Sequence, residues 1–209
     1  MTGGDRPQWL TLARELQSLA QTGLAFSVSS YDTQRYRRLM EIAAEIAASH
    51  AALDREAVTE NFLAQPGYAT PKVDVRGAVV RGKKILLVHE KADGLWCMPG
   101  GWADVGEGPS RMVVREVFEE SGYEVKPVRL IGVYDANRGG RPMEFYHAYK
   151  LVFLCSEVGG EARPSDETLA VGFFPFDALP ELSSNRTSAR HLADVRAVVE
   201  DPSRAVVFD

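Results

Sequence analysis

The residues with the most chemistry in this chain lie in GWADVGEGPSRMVVREVFEESGY, residues 101–123, where a glycine turn and four glutamates lead into a helical pattern. On a helix beginning near Pro109, Glu116, Glu119 and Glu120 stand at i, i+3 and i+4, so their carboxylates project from one face within reach of one another. Like charges that close raise each other's pKa unless a metal or a basic group neutralises them. Hard divalent cations such as Mg2+ take oxygen ligands and complete their shell with waters and substrate phosphates. The stretch therefore reads as a metal site for phosphate chemistry.

The spacing is also a family pattern. Gly101, five residues, Glu107, seven residues, Arg115-Glu116-Val117, one residue, Glu119-Glu120, one residue and Gly122 match the Nudix box, and the chain resembles a Nudix hydrolase. The last box position, usually aliphatic, is Tyr123, a packing position away from the proposed metal site. An acidic solvated helix face would account for the glutamates but not for Gly101, Glu107 and Arg115 at these spacings. The resemblance implies attack of water on a phosphorus atom of a nucleoside diphosphate linked to another group X. It implies Mg2+, or Mn2+ in its place, held by Glu116, Glu119 and Glu120 with the carbonyl of Gly101. Glu107 would support the loop, and Arg115, one turn before Glu119, would orient a carboxylate through its planar donor fork. The general base would be a box glutamate or an acid from a later loop; Asp166 and Glu167 are the later candidates, Glu167 preferred.

These groups need elements to hold them. Val113, Val114, Val117 and Phe118 form an apolar arc beside the carboxylate arc, while Met112 falls on the carboxylate side and fits less well. Gly108-Pro109 favours helix initiation, and Gly122 provides a left-handed exit. Beyond residue 72, VDVRGAVV, a turn at Arg81-Gly82 and KILLVHE predict a β-hairpin. Further strands are predicted at PVRLIGVYDA, EFYHAYKLVFLC and VGFFPF, and a C-terminal helix within TSARHLADVRAVVE. Strands separated by one helix and closed by another suggest a mixed sheet covered on both faces, in keeping with the α/β Nudix α/β/α sandwich that the resemblance implies.

Residues 1–64 read as a small all-α domain. Trp9, Leu10, Leu12, Ala13, Leu16 and Leu19 recur at helical spacing, a second helix follows Asp32 as cap, and a third runs over residues 54–63. Residues 65–71, with two prolines and a glycine, predict a linker before a Nudix domain over 72–209. So thin a helical core should pack on the rest of the chain or another subunit, which favours a homodimer.

Around the box the chain resembles the Nudix subgroup of CDP-choline and ADP-ribose pyrophosphatases, with CDP-choline slightly favoured. Trp96, Trp102, Tyr134, Phe145 and Tyr146 are candidates to stack on a base or surround a quaternary ammonium group. Arg76, Arg138 and Arg141 are candidates for phosphate or the terminal group. Of these, Arg76, Trp102, Arg138 and Tyr146 make the substrate-binding set. His147 reads as a structural histidine, and Glu90 and Asp93 as turn residues.

With 209 residues, 45% of them hydrophobic, and a net charge of -5, the chain can bury a substantial core and does not suit a broadly basic nucleic-acid surface. RNA-end processing or RNA hydrolysis is accordingly a second, less favoured activity. A non-catalytic ligand-sensing module is the alternative of another class, although no box glutamate is missing. Cys97 and Cys155 are too few for a disulfide framework and lack zinc spacing. Neither a leader pattern nor an apolar run of the ~20 residues needed to cross a bilayer is visible, which points to a cytoplasmic protein with no membrane partner.

Overall fold

The computed structural model describes residues 7–51, 54–136 and 147–209. The chain divides into two compact units, one containing the helices before Pro71 and the other made of Lys72–Ala136 and Ala148–Asp209.

The first unit holds α1 (Gln8–Phe26), α2 (Ser30–Ala51) and α3 (Arg55–Leu63). Ala20, Met40, Ala43, Ala44, Ala47 and Phe62 form its core, small alanines letting the helix backbones approach closely. Asp54, expected as the first residue of the third helix, caps α3 instead, its carboxylate accepting the Ala57 N–H at 2.8 Å. α2 instead starts two residues before Asp32, which sits in the first turn paired with Arg35. Along α1, Leu10, Ala13 and Ala20 are buried with Gln17 and Gln21, whereas Leu12, Leu19 and Phe26 are exposed. Among the described residues no helix is long and apolar enough to cross a membrane.

The second unit is an α/β sandwich around a mixed sheet. Its strands are β1 (Lys72–Arg81), β2 (Lys84–Glu90), β3 (Trp96–Cys97), β4 (Tyr123–Asp135), β5 (Ala148–Gly160), β6 (Thr168–Pro175) and β7 (Val207–Phe208), with α4 (Pro109–Ser121) and α5 (Ala189–Glu200) between them. The order is β3-β2-β1-β5-β4-β7, and β6 pairs with β2. The predicted hairpin forms, but only Val80–Ile85 and Arg81–Lys84 pair across it. Beyond them β1 turns away to run parallel to β5, and β2 takes β6 as its antiparallel partner. β1 is a buried central strand, apolar except for Asp74 and Arg76 along its buried length.

Alternation along the strands builds two cores. Val75, Val79 and Leu86 pack under α4 with Met112, Val113 and Val117, while Ala78, Ile85 and Leu87 pack under α5 with Leu192, Val195 and Val198. Cys97 and Cys155 are buried free thiols, and burial pushes Cys155 up to about 12.

The buried stripe of α4 is rotated from the arc expected of it. Met112 is fully buried, whereas Phe118 is 40% exposed, with the Arg163 guanidinium over its ring. The rows that meet the sheet are therefore Met112-Glu116-Glu120 and Val113-Val117-Ser121, each at i, i+4 and i+8. Met112 lies on the carboxylate side because that side is itself turned inward. Pro109 opens the helix, and Gly122 ends it at φ 77°, its N–H returning to the Phe118 carbonyl at 2.8 Å.

Candidate active site

Residues 99–103 form the floor of the site by zipping onto β1. Gly77 N–H donates to the Pro99 carbonyl at 2.8 Å, Val75 N–H to Gly101 at 2.9 Å, and Ala103 N–H to Val73 at 2.8 Å. Gly100 sits at φ 141°, where a Cβ would run into the Val75 carbonyl, so the close approach requires glycine. Its N–H donates to Glu120 Oε2 at 2.8 Å. At Gly101 a Cβ would lie 3.0 Å from Glu116 Oε2. The glycine pair thus gives the two inner glutamates bare backbone to lie against.

Three environments result on one helix. Glu120 is 6% exposed; Glu116 is largely covered, and the Glu119 side chain faces outward. Burial, first of all, pushes Glu120 up to about 8 against the opposing pull of Arg76 and the Gly100 N–H. Burial likewise raises Glu116, with Arg115 opposing. Both are carboxylates turned inward out of solvent, and their hard oxygens suit a hard divalent cation.

Arg115 gathers the outer acids. Its guanidinium is 2.8 Å from Asp104, 3.1 Å from Glu107, 3.0 Å from Glu116 and 2.8 Å from Glu119. In this arrangement, no group of three or more His, Cys, Asp or Glu side chains among the described residues converges as a metal cage. The Gly101 carbonyl already accepts from Val75 N–H, and its second lone pair remains available in principle to another donor or cation.

Comparison with known proteins decides what this helix and loop belong to. The NUDIX domain matches residues 71–195, and an N-terminal domain described as UDP-X-like, for oligomerisation, matches residues 7–62. The chain belongs to the Nudix family. It is 42% identical over 97% of both chains to YjhB of Bacillus subtilis, whose name provisionally assigns it as an ADP-ribose pyrophosphatase. It resembles the crystal structure of an ADP-ribose pyrophosphatase from Streptococcus suis, with 39% identity and a TM-score of 0.61 over 67% of this chain and all of that one. A UDP-X diphosphatase structure matches at 30% identity and a TM-score of 0.63, over 96% of this chain and 98% of the other. The protein is a Nudix hydrolase, and its general reaction is hydrolysis of a nucleoside diphosphate linked to X.

The remaining candidate residues fall in distinct places around the Nudix site. Trp102 is 52% exposed beside Gly101, with its backbone bridged to Asp74. Trp96 and Tyr134 belong to the α5-side core; Trp96 stacks on His89, and the Tyr134 hydroxyl donates to Asp194. Arg76 is 4% exposed and bound by Asp74 through two nitrogens, Nε to Oδ1 at 2.9 Å and Nη2 to Oδ2 at 2.7 Å. Glu167 is exposed, its N–H donating to Ser165 Oγ, and the next residue, Thr168, donates to the Glu120 carbonyl at 3.0 Å. The later-loop acid is therefore tied in sequence to the end of α4. Arg138, Arg141, Phe145 and Tyr146 lie outside the described residues.

Sequence reasoning missed Asp74, Asp104 and Lys150. Asp93 does serve its turn, accepting the Leu95 N–H at 3.1 Å. Glu90, grouped with it, is buried and accepts the Cys97 thiol at 3.1 Å. The alternation of β1 carried a usable signal for Asp74, since residues 74 and 76 share one face of the strand.

Proposed function

We propose that this Nudix hydrolase splits the pyrophosphate of ADP-ribose, water adding at phosphorus to give AMP and ribose 5-phosphate. The observation that carries the reading is the inward-turned Glu116–Glu120 edge against Gly100 and Gly101, Glu120 held by the Gly100 N–H at 2.8 Å and Glu116 lying against Gly101, two hard-oxygen groups suited to a divalent cation. Glu116, Glu119 and Glu120, with the Gly101 carbonyl, would hold Mg2+ or Mn2+, and Arg115 would guide Glu116 and Glu119 toward or away from that edge. When bound, such an ion neutralises phosphate oxygens and acidifies water.

The chain's own groups supply the rest. Glu167, on the loop anchored to Glu120 through Thr168, is the proposed base that takes the proton of the attacking water. Trp102 offers an exposed aromatic face beside the glycine floor, suited to stacking on the base. Arg138 and Tyr146 complete the proposed substrate contacts.

ADP-ribose is placed before CDP-choline because the names of YjhB and of the Streptococcus suis protein both point to it. A test is to compare kcat/KM for ADP-ribose, UDP-sugars, CDP-choline and capped RNA. A preference of at least ~10-fold for ADP-ribose supports the assignment, and a comparable preference for another compound replaces it.

The helical unit is proposed to make the protein a homodimer. Leu12, Leu19 and Phe26 recur at intervals of seven on α1 and are exposed, and the matching N-terminal domain is described as one for oligomerisation.

A further inference from the structure

Behind the glycine floor lies a buried charge network of which the proposed reaction uses only Glu120. Asp74, Glu90 and Glu120 are buried carboxylates, and Arg76 and Lys150 are buried cations. Lys150 Nζ donates to the carbonyls of Asn185 at 2.9 Å and Arg186 at 2.7 Å, and lies 3.7 Å from Asp74 Oδ1. Arg186 Nε in turn lies 3.6 Å from Glu90.

The Asp74–Arg76 pair has a feature that stability does not explain. Both residues belong to β1, two apart on one face, so their bidentate bond joins no separate elements. Burying such a pair costs desolvation that an apolar pair would avoid. What it does fix is the plane of the guanidinium. With Nε and Nη2 held by Asp74, Nη1 is aimed out of the strand at the Met98 carbonyl, 3.2 Å away. Two residues on, Gly100 N–H holds the Glu120 carboxylate, and between them Pro99 accepts from Gly77. A continuous path therefore runs from Asp74 through Arg76 and the 98–100 backbone to Glu120.

We propose that Arg76 is a positioning residue of the hydrolytic site, oriented by Asp74, which fixes the 98–101 floor and through it the place of the Glu120 carboxylate. This rests on the hydrolase function proposed above. It differs from direct substrate recognition, because the guanidinium is turned to Asp74 and Met98. Lysine cannot replace it, since an ammonium keeps the charge but lacks the planar fork that meets two Asp74 oxygens and a third acceptor together.

The test compares steady-state kinetics and thermal melting of the full chain with Mg2+ and ADP-ribose for wild type, Arg76→Lys, Asp74→Asn, Glu120→Gln and the double variant Asp74→Asn/Glu120→Gln. Displacement of the carboxylate predicts kcat falling roughly 10- to 100-fold in Arg76→Lys and Asp74→Asn, with KM within about 3-fold. The double variant should be no slower than Glu120→Gln alone, since both changes act on one group. Loss confined to KM, unchanged kcat, additive losses in the double variant, or failure of both single variants to fold would each overturn the proposal. A wild type inactive on ADP-ribose would overturn the ADP-ribose reading, and the same comparison on the diphosphate it does cleave then decides the proposal, whereas an active wild type with unaffected variants removes the proposal alone.

Discussion

Glu116, Glu119 and Glu120 occupy less than two turns of one helix, yet they differ sharply in burial. Glu119 is exposed and paired with Arg115 at 2.8 Å, an arrangement worth little to stability. Glu119→Gln should therefore leave melting nearly unchanged while turnover falls at least ~100-fold, if its charge serves the metal. Glu120 is the opposite case. Its carboxyl is held near 8 against an ordinary 4.5, chiefly by burial. The folded state thus binds more proton than the unfolded state between those values, and stability falls as pH rises through that window. In metal-free buffer above pH 8, Glu120→Gln should melt higher than wild type, while its turnover with Mg2+ is reduced but measurable. Melting curves at pH 6 and pH 8.5 check this; a variant less stable than wild type at both would show that the buried charge is already compensated. The box pattern made these glutamates legible in sequence. It could not show which were buried, because Met112 and Phe118 flank the packing stripe of α4 and only contact with the sheet decides between them.

At the scale of elements, the site is held by segments whose ends were readable and whose long-range partners were not. Gly108-Pro109 and Gly122 set the limits of α4 by local backbone chemistry, so its bounds followed from the sequence. Asp74 and Lys150 meet only because β1 and β5 pair in parallel across some seventy residues, with 74 opposite 150. The parallel pairing was not foreseen from the chain's local pattern, and the two-residue strands β3 and β7 are too short to carry a period. α5 provides an element-level test. Ser188 and His191 form a capping box in which neutral His191 Nδ1 accepts the Ser188 N–H at 3.2 Å. Burial, then the nearby Lys150 charge, pushes His191 down to about 3 from 6.5. The folded state binds less proton than the unfolded one between those values, so the contribution is complete above pH 6.5 and is lost as pH falls toward 3. Its slope is at most about 1.4 kcal/mol per pH unit. Urea titrations at pH 7.5 and pH 5 should show wild type losing more stability on acidification than His191→Asn, and equal losses would remove His191 from the acid response.

For the whole molecule, the helical unit and the catalytic unit raise separate questions. The helical unit's core is small and rich in alanine, while α1 leaves Leu12, Leu19 and Phe26 in solvent. Exposed apolar residues repeated at this interval mark a packing surface. The double substitution Leu19→Glu/Phe26→Glu should halve the mass seen by light scattering if that stripe joins two copies; an unchanged mass would place the subunit contact elsewhere or show a monomer. Sequence showed that such a core was thin. It did not show which side of α1 stayed bare, because Leu12 and Leu19 share its helical spacing with buried Leu10 and Ala13.

The catalytic unit's central claim is metal-assisted cleavage of the pyrophosphate at the Glu116–Glu120 edge. Its most direct test is phosphorus NMR of ADP-ribose incubated with the purified protein, with Mg2+ and then with excess chelator. The account predicts that the diphosphate signals give way to two phosphomonoester signals, AMP and ribose 5-phosphate, only when Mg2+ is present. An intact diphosphate under both conditions, release of inorganic phosphate, or equal cleavage with chelator would contradict it.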